Sequence, residues 1–298
     1  MDSGRPVVSC IVVSHNSREE LSECLLKLLE SSRGIPMEVF VVDNASSDGT
    51  PEMVKSSFPS VELISNKENL YFTRANNQAL AKARGEYVLI LNPDTIVEKE
   101  TLKGMLDFME SHQAAAAASC LFVDSEGNIL PTCWPFRTLT WLVVSREPVV
   151  RFLRSSVTLR EARMADWDRL SVRRVDVISD AFLMARASAL RRVNFYDESF
   201  LLYCTEDDLC LRLKREGFDI YHNPSVRVCH LVSRSTLKKP ILSILEIQRK
   251  DLVEYFRKHH GTGATIVASV ATAIEQMTWR IYLLVCGRRR LRGGGSVG

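Results

Sequence analysis

Short apolar runs alternate with helical patterns through the first hundred residues, and this alternation constrains the fold more than any other feature. The strand-like runs cover residues 7–13, 37–42, 61–65 and 86–91. Each run leads, directly or through a turn, into a segment with helical spacing of apolar residues. Residues 87–91 are apolar without interruption, which is typical of a strand buried on both faces of a parallel sheet. Four such units predict an open, mainly parallel α/β sheet with helices on both faces and right-handed crossovers.

Composition and charge narrow the class of protein. The 298 residues are 46% hydrophobic, enough for a folded core, and the net charge is only +3. The chain therefore has no basic field that would indicate nucleic acid as a partner. Its eight cysteines have no paired spacing, which predicts reduced thiols rather than a zinc site. The first residues lack the features of a signal peptide, so we expect a cytoplasmic protein.

Polar residues follow three of the predicted strands. They are Ser14, His15 and Asn16 after the first strand, Asp43, Asn44 and Ser46 after the second, and Asn92 and Asp94 after the fourth. Ligands of open α/β sheets bind at the carboxyl ends of the strands, so this pattern favours a binding site. The alternative is that these side chains cap helices and turns.

Three further features have both a chemical and a structural interpretation. Asn92 and Asp94 offer an oxygen pair suited to Mg²⁺ or Mn²⁺, or Asp94 caps a helix beginning near residue 98. Acidic residues at 206–208 begin a helix, where they interact well with its dipole, and one of them could instead serve as a general base. His230 ends an apolar strand, a position where histidine is more often structural than a ligand.

The order of these motifs closely resembles the family 2 glycosyltransferases, and among them bacterial rhamnosyltransferase-type members that build cell-surface polysaccharides. The matching segments are VDNASSDGT at 42–50, NQALAKARGEYVLILNPDT at 77–95 and YCTEDDLCLRLKREGF at 203–218. The resemblance covers residues 7–235 and implies a GT-A fold. Residues 1–95 would form the nucleotide-binding half and residues 96–235 the acceptor-binding half. Residues 236–298 would form a C-terminal helical extension with a disordered tail.

The resemblance also implies roles for single residues. The polar residues after the three strands would bind the nucleotide, and Asp43 would form a hydrogen bond with the nucleobase. Asp94 and His230 would hold a divalent metal, Mg²⁺ or Mn²⁺. The catalytic base would be Asp207. If the acidic motif is instead aligned with the family pattern from Arg212, Glu206 falls on the position of the base. We favour Asp207 over Glu206. The acceptor would contact two further acids, Asp180 and Asp208.

The expected function is an inverting, metal-dependent transfer of a sugar from a nucleotide diphosphate donor. The acceptor would be a hydroxyl of a glycan or lipid-linked glycan, and thymidine diphosphate rhamnose is the leading donor. A dehydrogenase is excluded because no G-x-G-x-x-G loop follows the first strand, and a nucleotidyltransferase would also need a glycine-rich, basic loop there. The acidic motif at 205–212 is one residue out of step with the family pattern, and Asn92 replaces the first acid of the family's D-x-D motif. These departures leave one alternative open, a catalytically inactive family member that binds sugar nucleotides or acts as a scaffold.

The C-terminal region has helical periodicity at 242–256 and again at 264–286. The second helix carries too many charged residues to fit a membrane span, and arginines follow it within 288–292. Residues 264–292 therefore favour an amphipathic helix on the inner leaflet of a membrane. The alternative is packing on the helix's own domain or on a second copy in a homo-oligomer.

Overall fold

A mixed sheet of nine strands forms the centre of the molecule in the computed structural model, which describes residues 5–144, 157–162, 164–231 and 241–292. Two further strands, β7 and β9, pair separately. The strands are β1 (Val8–Ser14), β2 (Met37–Asp43), β3 (Glu62–Ser65), β4 (Tyr87–Leu91), β5 (Thr95–Val97), β6 (Ala115–Val123), β7 (Cys133–Trp134), β8 (Arg173–Arg174), β9 (Val177–Ile178), β10 (Phe182–Arg186) and β11 (Asp219–His230).

The sheet has a parallel half and a mixed half. Its order is β3-β2-β1-β4-β10-β6-β11-β5, with β8 beside β11. Strands β1 to β4 are parallel, as predicted, whereas β10 runs antiparallel to both β4 and β6. Strand β11 is parallel to β6 and antiparallel to β5. The carboxyl ends of β1, β2 and β4 therefore meet at one edge, where the polar residues follow.

Helices cover both faces of the sheet, as the apolar spacing predicts. They are α1 (Arg18–Ser31), α2 (Thr50–Ser57), α3 (Tyr71–Leu80), α4 (Thr101–Ser111), α5 (Leu139–Val144), α6 (Val157–Ala162), α7 (Ala187–Arg192), α8 (Thr205–Arg215) and α9 (Ile241–Arg292). One apolar core packs α1, α2 and α4 against one face, and a second core packs α3, α7 and α8 against the other. Alternate residues of β1 enter the two cores, for example Cys10 and Ile11.

The apolar sequence at 176–185 predicts one strand, and this prediction is wrong in its middle. The segment forms two strands, because β9 pairs with β7 outside the main sheet while β10 joins β4. Between them, Ser179 N donates to Thr132 O and Ala181 O accepts from Asn92 N. Asp180 thus lies at the edge of the sheet beside the end of β4. The segment 146–174, rich in arginine and apolar residues, predicts an insertion near the acceptor, and it falls partly outside the described residues.

Helix α9 combines the two predicted C-terminal helices. It is interrupted at Gly261, whose φ of +80° suits glycine because it has no Cβ. A third apolar core joins α9 to α5 and to the segment before α8. Within the described ranges, no helix combines the length and apolarity that a membrane span requires. The predicted disordered tail, 293–298, lies outside the described residues.

Candidate functional site

A cleft of about 370 Å³ opens at the carboxyl ends of the parallel strands. Its volume lies in the range of small-molecule sites. The structure brings together in its lining seven of the residues predicted from the sequence. These are Ser14, His15, Asn16, Asn44, Asn92, Asp94 and His230.

Asp94 and His230 form the polar pair of this cleft. Strand β5 pairs with the end of β11 so that Thr95 lies opposite His230, and this register places His230 beside Asp94. His230 Nε2 is 3.2 Å from Asp94 Oδ1. That nitrogen is buried and makes no well-aligned hydrogen bond to any described residue. Helix α4 begins only at Thr101, so the alternative in which Asp94 caps it is wrong.

The loop after β1 is held by the loop after β2. Asn16 has a φ of +53°, and its backbone N–H donates to Ser46 Oγ over 2.8 Å. Its side-chain oxygen accepts from the backbone of Ser47. His15 Nδ1 lies 2.8 Å from Asn44 O. Asn16 is therefore a loop-fixing residue as well as part of the cleft wall.

Asp43 and Asn44 are both buried at the end of β2, and of the two Asn44 lines the cleft. Asp43 Oδ2 accepts from Ser46 N, whereas its Oδ1 is buried without a hydrogen-bond partner in the described structure. Such an atom is costly unless a ligand or water donates to it. The Asn44 amide donates to Tyr71 O and so holds the start of α3. Asp43 and Ser46 do not line the cleft itself.

A second polar cluster lies at the start of α8. Asp207 is fully buried and forms an ion pair with Arg137, with 2.9 Å between Oδ1 and Nε. Trp134 donates its indole N–H to the same oxygen. Arg137 also stacks on Trp141, 4.4 Å from the ring centroid. No sequence pattern indicates Arg137, because it lies seventy residues from its partner in an irregular segment.

Glu206 and Asp180 belong to the same cluster. The hydroxyl of Thr205 lies 2.9 Å from Asp180 and 2.8 Å from Glu206. Burial and the charge of Asp207 raise the pKa of the half-buried Glu206 to about 7. Burial, together with the charge of Glu206, raises the pKa of Asp180 well above its usual range. Three acids thus share one poorly hydrated space, where a carboxylate holds a proton near neutral pH.

Asp208 lies apart from this cluster. Its carboxylate is 1% exposed and contacts Arg212 at 2.7 Å, Lys258 at 2.6 Å and His259 at 2.9 Å. The last two residues belong to α9. Asp208 therefore joins α8 to the C-terminal helix, and its predicted contact with an acceptor stays a prediction.

Several residues of the cleft were missed from the sequence. They are mostly apolar or aromatic and include Tyr71, Phe72, Leu202, Tyr203, Ile244 and Ile247. The last two come from α9, outside the region that carried the resemblance. Apolar residues on a helix usually indicate a core, so no pattern distinguishes a residue that lines a cleft.

Comparison with solved structures identifies the fold. The mannosyltransferase PcManGT from Pyrobaculum calidifontis, in complex with GDP-Man and Mn²⁺, aligns with 99% of this chain and 77% of its own, with a TM-score of 0.58 and 19% identity. TarS of S. aureus (residues 1–349), in complex with UDP, aligns with 84% of this chain and 65% of its own, with a TM-score of 0.53 and 20% identity. The fold is that of the GT-A glycosyltransferases.

The sequence then identifies the family. Residues 9–175, more than half of the chain, match the Glycosyl transferase family 2, and the chain belongs to this family. It is 25% identical over 269 residues to the N-acetylglucosaminyl-diphospho-decaprenol L-rhamnosyltransferase of Mycobacterium tuberculosis strain CDC 1551 / Oshkosh, with 86% of each chain covered. It is 26% identical to the rhamnosyltransferase WbbL of Escherichia coli strain K12, with 75% of this chain and 83% of the relative covered.

Proposed function

We propose that this glycosyltransferase transfers a sugar from a nucleotide diphosphate donor to a glycan hydroxyl by a single, inverting displacement. The observation that carries the proposal is the Asp94–His230 pair at the strand ends, in a cleft lined by the predicted nucleotide-binding residues. In this reaction the acceptor oxygen bonds to the anomeric carbon as the bond to the diphosphate breaks. The bonding electron pair leaves with the diphosphate, and the acceptor's proton passes to a base.

Asp94 and His230 fit a divalent cation, Mg²⁺ or Mn²⁺. The described residues contain no group of three potential metal ligands, so the protein would supply two ligands. Mg²⁺ usually binds in this way, with the remaining positions taken by phosphate oxygens and water. The buried Nε2 of His230, which makes no well-aligned hydrogen bond to the part of the chain that the structure describes, supports a ligand role. When bound, the cation would stabilise the charge that develops on the diphosphate.

The geometry favours Glu206 as the base over Asp207, which the sequence analysis placed first. Asp207 is fully buried and its carboxylate is already engaged in the ion pair with Arg137. Glu206 is half-buried and has a pKa of about 7, close to the value at which a general base works best. The cleft residue Tyr203 precedes Glu206 by three positions, so the acidic start of α8 adjoins the cleft wall. Asp180, bridged to Glu206 through Thr205, would face the acceptor.

The rhamnosyltransferase relatives support a rhamnosyl donor and a lipid-linked acceptor. Thymidine diphosphate rhamnose is the proposed donor. The name of the mycobacterial relative suggests N-acetylglucosaminyl-diphospho-polyprenol as the class of acceptor. The product would belong to a bacterial cell-surface polysaccharide.

We also propose that α9 rests on the cytoplasmic face of the membrane, where a lipid-linked acceptor would be found. Its second part exposes an apolar stripe with helical spacing, consisting of Ile266, Val270, Ile274, Met277 and Ile281. Each of these side chains is more than half exposed. Four arginines follow within 288–292, and their charge suits anionic lipids.

Thermal unfolding of the purified protein with nucleotide diphosphates and their sugars, with and without Mn²⁺, tests the donor. A ligand present at about 100 times its Kd adds about 2.7 kcal/mol to the free energy of unfolding. We expect a metal-dependent shift with thymidine diphosphate rhamnose, and rhamnose transfer to a polyprenyl-linked acceptor. A shift without transfer would favour the inactive alternative, and no shift with any nucleotide would contradict the donor site.

A further inference from the structure

Asp251 of α9 is a fully buried carboxylate outside the predicted catalytic region. Its Oδ1 accepts a hydrogen bond from the backbone N–H of Leu201 at 2.9 Å. Its Oδ2 accepts from Leu202 at 2.9 Å and from Tyr203 at 2.7 Å. Three successive backbone donors on one carboxylate offset much of the cost of burying its charge. The contact spans about fifty residues of sequence.

The segment 200–203 is also fixed on its other side. The carbonyl of Leu201 accepts from Phe72 N at 2.9 Å, and the carbonyl of Phe200 accepts from the Thr73 hydroxyl at 2.5 Å. Both donors belong to the first turn of α3. The segment therefore lies between the nucleotide-binding half and α9, and its backbone is bonded to both.

This segment connects the two parts of the proposed active site. Leu202 and Tyr203 line the cleft, and α8 with Glu206 begins directly after them. Cys204, which lies between Tyr203 and the start of α8, has a φ of +57°. This left-handed conformation costs energy for a residue other than glycine. The surrounding contacts must maintain this conformation, and Asp251 makes three of them on the preceding residues. Ile244 and Ile247 of the same helix complete the cleft wall.

We propose that Asp251 is a positioning residue for sugar transfer. It fixes the backbone at 201–203 and thereby sets the distance between the cleft and the base at the start of α8. The C-terminal helix is then a component of the active site rather than an appended extension. This inference rests on the proposed function only for its effect on turnover, since its effects on the backbone and on nucleotide binding can be measured separately.

Asp251→Asn tests the proposal because Asn has the same shape but replaces one acceptor oxygen with an N–H donor. Three measurements are compared with the wild type well below the melting temperature of the variant. They are hydrogen exchange of the amides at 201–203, the Kd of thymidine diphosphate with Mn²⁺, and kcat for transfer. We expect faster exchange, weaker nucleotide binding, and a kcat lower by about 10²-fold, the typical cost of displacing a catalytic group by about 1 Å.

Glu246→Gln is the matched control. It removes a carboxylate from the same helix, but Glu246 is exposed and pairs with Lys250 at the surface. We expect all three measurements to match the wild type. If Asp251→Asn lowers only the melting temperature and leaves exchange, Kd and kcat unchanged, Asp251 has a structural role alone and the proposal is overturned.

The wild type provides a test that does not depend on the folding of the variant. The amides at 201–203 should already exchange slowly in the ligand-free protein, because Asp251 holds them before any substrate binds. Fast exchange there would overturn the proposal. Absence of transfer by the wild type would contradict the proposed function, while the exchange and nucleotide-binding results would still decide the role of Asp251.

Discussion

Asp94→Asn keeps the shape of the side chain at the end of β4 and removes its negative charge, the property that a divalent cation requires. We expect kcat to fall by about 10²-fold or more, since a cation contributes several kcal/mol of charge stabilisation. The metal-dependent part of the thermal shift with nucleotide should also be lost. Steady-state kinetics and thermal unfolding, each with and without Mn²⁺, measure the two effects.

Asp107→Asn is the control for this variant. Asp107 lies on α4 and is exposed, and it pairs with Lys103 at the surface. The same chemical change there should leave kcat and the nucleotide-induced shift unaltered. A metal-dependent shift that survives in Asp94→Asn would contradict the metal site.

Glu206→Gln removes the proposed base. Because a general base acts when deprotonated, wild-type kcat/KM should rise with pH through about 7, the pKa of Glu206, and level off above it. The variant should lose this rise and about 10²- to 10⁴-fold in rate. Asp207→Asn should keep the rise but move it to lower pH, since the charge of Asp207 helps to raise the pKa of Glu206. If only Asp207→Asn loses the rise of kcat/KM with pH, Asp207 is the base instead.

The raised pKa of Glu206 also affects stability, in the direction opposite to activity. The folded state holds this proton more tightly than the unfolded state, where the pKa is 4.5. The contribution of Glu206 to stability is therefore fully present below pH 4.5 and is lost as the pH rises through about 7. We expect Glu206→Gln to raise the melting temperature relative to wild type at pH 8 and to change it little at pH 4. An equal change at both pH values would contradict the raised pKa.

At the scale of residues, the sequence predicts which polar side chains line the cleft where they follow buried strands. The Asn and Asp residues after β1, β2 and β4 could be found because the carboxyl ends of parallel strands meet at one edge. Asp251 could not be found in this way, because its role depends on tertiary contacts over about fifty residues. Arg137 could not be predicted for the same reason. Its ion pair with Asp207 distinguishes Asp207 from the neighbouring acids of the cluster.

At the scale of elements, the strands of the parallel half were predicted to within a residue or two. Continuous β-branched and apolar runs make β1, β2 and β4 recognisable by composition alone. The reversal of β10 was not predicted, because an apolar strand fits a parallel or an antiparallel neighbour equally well. The prediction of one strand at 176–185 is wrong for a related reason, because apolar composition does not show that β9 pairs with β7 outside the main sheet.

The exposed stripe of α9 predicts membrane binding by this element. We expect the wild type to sediment with vesicles containing anionic phospholipid, and less so at high salt because the arginines are screened. The double variant Val270→Asp, Ile274→Asp should bind at least about tenfold more weakly, because burying each apolar side chain is worth about 1.5–3 kcal/mol. Vesicle sedimentation over a range of lipid concentrations measures the change.

Leu26→Asp is the control for the stripe. Leu26 is 59% exposed on α1, so its substitution introduces the same type of charge, one instead of two, on a different surface. Vesicle binding should be unchanged in this variant. If the stripe variant keeps its vesicle binding and instead converts a dimer into a monomer, the stripe binds a second copy of the chain.

At the scale of the whole molecule, α9 shares an apolar core with the region that contains the central sheet. The match to the family ends at residue 175. The sequence pattern predicts a separate C-terminal extension that begins at residue 236. However, the third core packs Leu252, Tyr255 and Phe256 of α9 against Phe200. Composition gives no sign of this, because a helix that packs on its own domain and a helix that leaves it can share one apolar pattern.

The ion cluster at Asp208 connects α8 to α9, so its removal should lower the free energy of unfolding. Asp208→Asn leaves Arg212, Lys258 and His259 without their shared carboxylate in a buried setting. Removing one partner of a buried ion pair typically costs about 3–5 kcal/mol. We therefore expect the free energy of unfolding, measured in urea, to fall by about that amount with an unchanged m-value. The surface variant Asp107→Asn should cost less than about 1 kcal/mol.

The dependence on pH separates this structural role from the predicted contact with an acceptor. Burial opposes ionisation of Asp208, but the hydrogen bond from His259 and the charges of Arg212 and Lys258 outweigh it and lower the pKa. The stabilisation is thus present above pH 3.8 and is lost as the pH falls further, so the wild type and Asp208→Asn should converge in stability under acid. A variant with wild-type stability and a raised KM for the acceptor would instead place Asp208 in the acceptor site.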